Sequence, residues 1–559
     1  MNSKQTSALA LATLIAYGAV AVATAQLGTS QAHKFLLAFF PLFVILSGVA
    51  FLHQSGLRMA LIGLATTILL AVFQFSTSLE VALGASAIGF IKSLGISVSV
   101  AATMLMIYLM QETGTLKTVA KVIKHQVAGD ETRALYVGIG FGSFLSSLGV
   151  VTPALFPPLL VAMGFSPTAS IAIAVLGYDP TTSFSLLSIP ITIPAQIGGL
   201  NPVEMAYKIT LFLPLISIGF AFAILWLTGG KQAMRRGAAP ATISGLTLAL
   251  ACLGTVSLDY FTGVEYIPLR IVGVVAGMCA MASVFAYERL KPQPAKPPKD
   301  EDYPTRKQVL RAFSPWIILT AFAATVSIQQ VDSFLRTLPG NSEVITVFTN
   351  QKIDLDILSQ IYTWIFVAIL LSLATLKPTR TQARRAFTTW LKRFAGPFLA
   401  YSLYFCIAFV MAYSAMELVQ GAVMPSPAYN TFNMNVVLGT TLATLFGAGY
   451  TFVAASLGLF GAIVGGSETS SNVLFLNIQR TATEKLGLDS TAFMTVYGSH
   501  AAAGGIASAV TPAKINNAVV TIGETHRTES LIMRKHLAVA VLLTAATGML
   551  TGVLVSLGI

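Results

Sequence analysis

Residues 463–475 read IVGGSETSSNVLF, and Glu468 stands there among Ser467, Thr469, Ser470, Ser471 and Asn472, inside otherwise apolar sequence. Ionisable side chains in such surroundings are costly to bury and are functional candidates first. A glutamate can carry a proton, the hydroxyls and the amide can donate to an anion, and Gly466 permits a tight tip. Amides freed at the start of a following helix also favour negative charge. The plainer alternative is that the hydroxyls bond back to their own helix. Asp179 follows Gly177 by two residues, as His500 follows Gly498 by two, so the pair occupies matching places and joins Glu468 as candidate proton carriers. Alternatively, Asp179 caps the turn before Pro180 and His500 is a hydrogen-bonded packing residue. Lys514, two past Pro512, can attract a carboxylate or snorkel to an interface. Thr152, Thr181, Thr182, Ser183 and Thr511 add hydroxyls beside the helix breakers and complete the candidate substrate-binding set with Gly466. Lys92 and Arg270 read as helix-end residues.

Other chemistries lack their constellations. The 6 histidines are scattered, and neither H-E-x-x-H nor G-x-S-x-G occurs. Cys252, Cys279 and Cys406 lie in apolar runs without metal spacing, so they read as small core residues rather than disulfides or metal ligands. The run GIGFG, Gly138 to Gly142, lacks a strand before it and a helix after it; with Ser146 it reads as a small-residue packing face, not a nucleotide loop. No metal, cofactor or enzymatic activity is therefore expected. Nothing resembles an ATP-binding domain.

The elements that position these residues follow from composition. Of 559 residues 55% are hydrophobic and 10% charged, with a mean hydropathy of +0.76, whereas soluble proteins carry about 25% charged residues. Apolar runs near the roughly 18 residues that cross a bilayer recur along the chain. Spans are expected near 7–26, 35–52, 59–75, 81–110, 209–228, 242–260, 268–286, 312–330, 356–376, 394–418 and 536–557. The first also resembles a signal peptide, with ATA before Gln26. The net charge of +12 reports basic loops on the cytoplasmic side rather than a nucleic-acid partner.

A polar, proline-rich stretch at 287–311 divides the chain into halves, 1–286 and 312–559, and reads as a cytoplasmic linker. The halves echo each other. GFSPTA (164–169) answers GLDSTA (487–492), SIPI (188–191) answers VTPA (510–513), and Gly149 with Thr152 answers Gly466 with Thr469. The offset of roughly 320 residues suggests an internal repeat. Basic clusters at Lys117–Arg133, Lys231–Arg236, Arg289–Arg311, Lys377–Arg393 and Arg527–Lys535, all placed inside, make corresponding pieces enter from opposite faces. The expected architecture is an all-α integral membrane protein of about thirteen crossings plus two re-entrant hairpins, an inverted repeat with broken helices. The hairpins fall near 134–163 and 434–480, and the broken crossings at 168–199 and 490–523. The N-terminus faces the cytoplasm and the C-terminus the exterior. Helix breakers at membrane depth survive only beside protein or a water-filled cavity, so paired breaks mark a binding site.

GSETSSNVLF resembles the hallmark of the lactate permease family, a Gly-Ser-Asp-Thr-Ser-Ser-Asn segment and an apolar run, with Glu468 in the aspartate's place. GGIASAVTPAKI (504–515) and GETHRTESLIMRKH (523–536) are similar to the segments that follow it. Three departures fall at the presumed site: SSLGVVTP for a Gly-Ala-Ala-Gly-Phe-Gly-Ala-Pro segment, GYDP for Asn-Thr-Ala-Pro, and Lys514 after the proline rather than a lysine before it. The resemblance implies a secondary carrier in a bacterial cytoplasmic membrane that brings in lactate, glycolate or a similar 2-hydroxymonocarboxylate with protons. Its partners would be that anion, the proton and the lipid bilayer, with a second copy of the chain also open. Sodium coupling, or a different small carboxylate, is the alternative; an anion channel or intramembrane enzyme is more remote.

Overall fold

The structure, a computed structural model, describes residues 30–50, 54–127, 129–149, 152–290, 303–341, 343–511, 514–515, 518–519, 522, 524 and 526–559. The expected first span and residues 291–302 of the linker lie outside these. Apolar helices dominate, α1 (Gln31–Ala50), α2 (Gly56–Gln74) and α3 (Leu79–Glu112) being the first. Ser55 caps α2 and Ser78 caps α3, each accepting from a first-turn amide, so polar residues between apolar runs set the starts. The amphipathic α4 (Thr115–Gln126) and α5 (Asp130–Leu135) follow. A π-helical stretch, Tyr136–Gly142, joins α5 to α6 (Ser143–Ser147). This is the GIGFG run. Gly138 lies against Gly177, and Gly140 against Met281, so the glycines are packing contacts.

Next come α7 (Thr152–Ala162) and α8 (Pro167–Leu176), a 3-10 turn over Asp179–Phe184, α9 (Ser185–Gly198) and α10 (Pro202–Thr210). Long helices resume with α11 (Leu213–Arg236), α12 (Ala238–Thr262) and α13 (Val272–Leu290), and after the linker with α14 (Arg306–Val326). The short α15 (Gln329–Arg336) leads to β1 (Val344–Phe348) and β2 (Gln351–Asp354), an antiparallel hairpin. Then follow α16 (Ile361–Leu376), α17 (Arg380–Arg393), α18 (Ala395–Ala412) and a second hairpin, β3 (Met416–Val419) with β4 (Ala422–Pro425). The hairpins dock: Thr349 N donates to Gly421 O at 2.9 Å, and Asn350 exchanges side-chain hydrogen bonds with Val423. The chain ends with α19 (Tyr429–Phe432), α20 (Met434–Phe446), α21 (Tyr450–Gly465), α22 (Glu468–Lys485), α23 (Ser490–Ile506) and α24 (His526–Ser556).

Among the described residues, 10 helical stretches are long and apolar enough to cross a membrane. The chain is an all-α multi-pass membrane protein. Nine stretches coincide with expected spans; the tenth, Met434–Ile463, covers ground expected to form the first part of a hairpin. It is interrupted at Gly447, where φ is +51°, so α20 and α21 are separate helices; α21 turns directly into α22, and both α20 and α21 pack on α22. The expected span 394–418 ends at Ala412, because Met416–Val419 pairs as a strand instead. α3 and α18 run antiparallel in close contact. Gly89 lies against the backbone of Phe405 and Cys406, Ser93 Oγ donates to Ser402 Oγ at 2.9 Å, and Cys406 Sγ donates to Ser86 O. Small residues permit such approach where helices lack a hydrophobic drive to associate.

Candidate functional site

Two interrupted helical segments and the tip between α21 and α22 meet in the interior. The first segment leaves α8 at Gly177, turns through Asp179–Phe184 and restarts as α9 through three successive left-handed residues, Leu186, Leu187 and Ser188 (φ +49°, +58°, +64°). L-residues pay about 1–2 kcal/mol each for that conformation, so neighbours must hold it. Ser188 Oγ donates to Leu269 O at 2.7 Å, Asn472 Nδ2 donates to Pro190 O at 3.0 Å and Arg480 Nη2 donates to Gly198 O at 2.7 Å. The second segment, α23, ends at Ile506 and tightens into a 3-10 turn over Ala507–Val510. Pro512 and Ala513 are outside the described residues.

The tip between α21 and α22 turns at Gly466 (φ +71°), a conformation glycine adopts without a side-chain clash. Ser467 caps α22: its hydroxyl accepts from Ser470 N at 3.1 Å and meets Ser470 Oγ at 2.9 Å. One amide expected to face a ligand is thus taken by the chain itself, and the first helical position is filled by Glu468. That carboxyl is 1% exposed. Ser183 Oγ donates to Glu468 Oε1 at 2.6 Å, while Oε2 is buried without a hydrogen-bond partner. A Cβ built on Gly505 would stand 3.2 Å from Oε2 and one on Gly504 3.1 Å from the Glu468 Cγ, so these glycines let α23 lie directly on the carboxylate.

Asp179 is 2% exposed, and neither of its carboxylate oxygens has a hydrogen-bond partner. It does not cap the turn; Thr182 Oγ1 instead donates to the Asp179 carbonyl at 2.9 Å. Lys514 is half-buried: Nζ donates to Ser508 Oγ, lies 5.3 Å from the Tyr178 ring centroid and interacts electrostatically with Asp179 and Glu468, without an ion pair to either. Asp179, Ser183, Glu468 and Lys514, far apart in sequence, therefore form one cluster.

The remaining candidates divide. His500 bonds away from the cluster. Gln479 Nε2 donates to His500 Nδ1 at 3.0 Å, so Nε2 carries the ring proton and faces Ser471 Oγ at 3.1 Å, which reaches on to Gly458 O at 3.3 Å. Tyr450 OH extends this chain to Gln479 Oε1 at 2.6 Å. His500 thus ties α23 to both arms of the hairpin. Asn472 is buried, with Oδ1 unpartnered and its carbonyl accepting from Tyr497 OH at 2.7 Å. Thr469 is buried at the start of α22, Thr181 Oγ1 donates to Tyr178 O at 3.3 Å and Thr511 Oγ1 donates to Ala507 O at 2.9 Å. Thr152 opens α7. The back-bonding alternative raised for the hydroxyls of 467–472 describes Ser467 and Ser470, which bond within the start of their own helix, but not Ser471, which reaches Gly458 and His500; Thr181, Thr182 and Thr511 bond to nearby carbonyls of their own turns. Tyr178, Ser508, Gln479, Tyr450 and Tyr497 complete the site without having been singled out from sequence; Tyr178 adjoins Asp179, the one local signal that pointed to any of them.

The L-lactate permease family profile matches residues 34–558. The chain belongs to the L-lactate permease family. Lactate permease relatives match along most of their length at modest identity. The glycolate permease GlcA of Escherichia coli (strain K12) is 23% identical and aligns over 92% of this chain and 94% of its own. The L-lactate permease of Escherichia coli (strain K12) is 24% identical over 79% and 81%, and that of Bacillus subtilis (strain 168) 23% identical over 87% and 90%. Among solved structures, the crystal structure of the Alcanivorax borkumensis YdaH transporter, described as having an unusual topology, is 15% identical, covers 84% of this chain and 87% of its own, and superposes with a TM-score of 0.38. As a lactate permease family member the chain is a membrane transport protein, and of its interior cluster only Glu468 lies in the GSETSSNVLF stretch.

Proposed function

We propose that the protein is a secondary carrier that takes up a small 2-hydroxymonocarboxylate, lactate or glycolate, together with a proton across a bacterial cytoplasmic membrane. The observation that carries this reading is the cluster of the buried Asp179 and Glu468 with the half-buried Lys514 at the junction of the two interrupted crossings. Lys514 offers a positive charge to the substrate carboxylate. Ser183, Asn472 and the turn at Asp179–Phe184 offer polar groups to the 2-hydroxyl. The two carboxyl groups offer places for a proton whose passage offsets the charge of the anion. The names of the relatives supply the substrate class, and the unlike residues at GYDP and Lys514 leave room for a preference among small hydroxy acids.

We read the two interrupted crossings as corresponding parts of an inverted repeat, as their matched sequence positions support. His500, with both ring nitrogens engaged, serves in this reading to hold the hairpin tip rather than to carry the proton.

Uptake of labelled C2 to C4 acids by proteoliposomes, under an imposed pH gradient and separately under a sodium gradient, tests the proposal. Accumulation of a 2-hydroxy acid that follows the pH gradient alone is the expected result. Accumulation that follows sodium alone would replace the proton with sodium, and transport of none of the acids would overturn the reading.

A further inference from the structure

Residues 377–393 carry six basic side chains and no acidic one. Basic residues elsewhere are partly answered, Arg133 by Asp130 at 3.2 Å and Arg236 by Glu131 at 2.7 Å. Arg380, Arg384, Arg385, Lys392 and Arg393 are exposed and make no ion pair among the described residues. The setting of α17 about its own axis is fixed. Gln382, Ala386 and Trp390 follow at intervals of four and so share a face, which turns to α3: Gln382 Nε2 donates to Glu112 O at 2.9 Å, Trp390 Nε1 donates to Ala101 O at 2.7 Å, and Ala386 is buried. Gln382 also closes a capping box with Thr379 at the start of the helix. Arg380, Arg384, Phe387 and Leu391, at steps of four, three and four, then form one exposed stripe. A groove of about 620 Å³ runs along it, lined by Arg380, Thr381, Ala383, Arg384 and Phe387.

The next helix gives the depth of this stripe. α18 follows α17 directly, with Phe394 N donating to Trp390 O at 2.9 Å. Its 18 residues span about 27 Å, most of the roughly 30 Å of hydrocarbon. Trp390, stacked on Phe394 with ring centroids 4.7 Å apart, therefore lies at the membrane interface, where tryptophan is favoured. Leu391 and Phe387, each 48% exposed, flank that level. Arg384 and Arg380 stand about 5 and 10 Å beyond Phe387 along the helix, at the depth of headgroup phosphates. We propose that this stripe of α17 is a binding site for an anionic phospholipid: Arg384 and Arg380 take the headgroup phosphate, and Phe387 and Leu391 receive the glycerol backbone and the first methylenes of the acyl chains. Guanidinium groups suit the task because they bond phosphate oxygens in pairs. A zwitterionic lipid brings a cation along with its phosphate and gains less from two unpaired arginines than a lipid of net negative charge. The site stands apart from the interior cluster and does not depend on what is carried.

The test uses the full-length protein purified in a neutral detergent and titrated with phosphatidylglycerol or phosphatidylcholine, with bound lipid counted by native mass spectrometry. Wild type should hold phosphatidylglycerol in preference to phosphatidylcholine, and added salt should shrink that preference. Arg380→Gln combined with Arg384→Gln should weaken phosphatidylglycerol binding roughly tenfold or more, since each arginine facing an anionic lipid is worth about fivefold. Arg385→Gln combined with Lys392→Gln removes the same charge from another flank of the helix and should cost no more than about twofold. Phe387→Ser should weaken both lipids alike. Should the Arg380 and Arg384 double variant not be recovered folded, each single variant should still cost several-fold. Equal retention of the two lipids by wild type, or wild-type affinity in the Arg380 and Arg384 variants, overturns the site. An equal loss in the Arg385 and Lys392 variant overturns it too, leaving a diffuse basic surface in its place.

Discussion

The first and second breaks of the crossings are made of opposite materials. The first is stiff. Non-glycine residues adopt three left-handed conformations in a row, and α9 is clamped at its start, middle and end by Leu269, Asn472 and Arg480. The second is bare, with Gly504 and Gly505 followed by Ala507–Val510. The stiff break carries the acid Asp179 and the hydroxyl that grips Glu468; the bare one brings the base Lys514 and lets the helix lie on the Glu468 carboxylate. Strain has been placed where a carboxylate must be held, and small residues where one must be approached. The two breaks thus divide the chemical labour between them.

Substitutions can break that division or sharpen it. The largest effect is expected from Glu468→Gln, which keeps volume and removes the ionisable oxygen: gradient-driven accumulation in proteoliposomes should fall to background while the protein elutes as wild type on size exclusion. Normal accumulation would take Glu468 out of the coupling. Gly505→Ala should come next. A methyl group 3.2 Å from Glu468 Oε2 needs the carboxylate or α23 to give way, at a cost of about 1–3 kcal/mol of overpacking, and L-lactate affinity should drop with it. The matching small-residue change outside the cluster, Gly254→Ala, meets nothing within 4 Å and should be silent.

Ser183→Ala strips the donor from Glu468 Oε1 and should lower stability by about 1.5–3 kcal/mol, the range for a hydrogen bond to a charged group, readable as a lower thermal midpoint by intrinsic fluorescence. His500→Asn should cost about 1–3 kcal/mol by leaving Gln479 and Ser471 unmatched, with the pH dependence of transport unchanged; a shifted profile would return His500 to the proton path. The smallest effect is expected from Leu186→Gly. Relief of a left-handed leucine, about 1 kcal/mol, is set against the partial packing of a half-buried side chain, so a near-neutral thermal midpoint would confirm that the clamps, not the residue type, hold the first break.

Most helices were legible because crossing a membrane forces long apolar runs, and serine, threonine and asparagine between them start the helices, as at Ser55, Ser78 and Asn433. The two β-hairpins were not. Met416–Val419 continues an apolar run whose hydropathy does not distinguish a strand from a helix end. Glu468, Asp179 and Lys514 stood out because charge in apolar sequence is rare, yet their meeting in one cluster depends on contacts such as Ser183 to Glu468 that span the two halves. Nor did the letters LLS at 186–188 announce a left-handed turn, since the bonds that hold it come from Leu269 and from α22. The polar chain Tyr450–Gln479–His500–Ser471 was half visible: His500 was noticed for its charge chemistry and Ser471 as a possible ligand donor, while Tyr450 and Gln479, uncharged and outside the hydroxyl-rich stretch, drew no notice.

The helix α3 runs 34 residues without interruption. At about 1.5 Å per residue it is some 51 Å long, well beyond the roughly 30 Å of hydrocarbon it has to traverse. Upright, it would carry several turns into the headgroups on either side; leaning, it drags the antiparallel α18 with it, because Gly89 and the serine pairs leave no slack between them. Lipid chain length therefore becomes a physical input to this protein: a thinner or thicker host membrane resets the slant of that welded pair, and with it the frame against which every other part of the molecule is oriented.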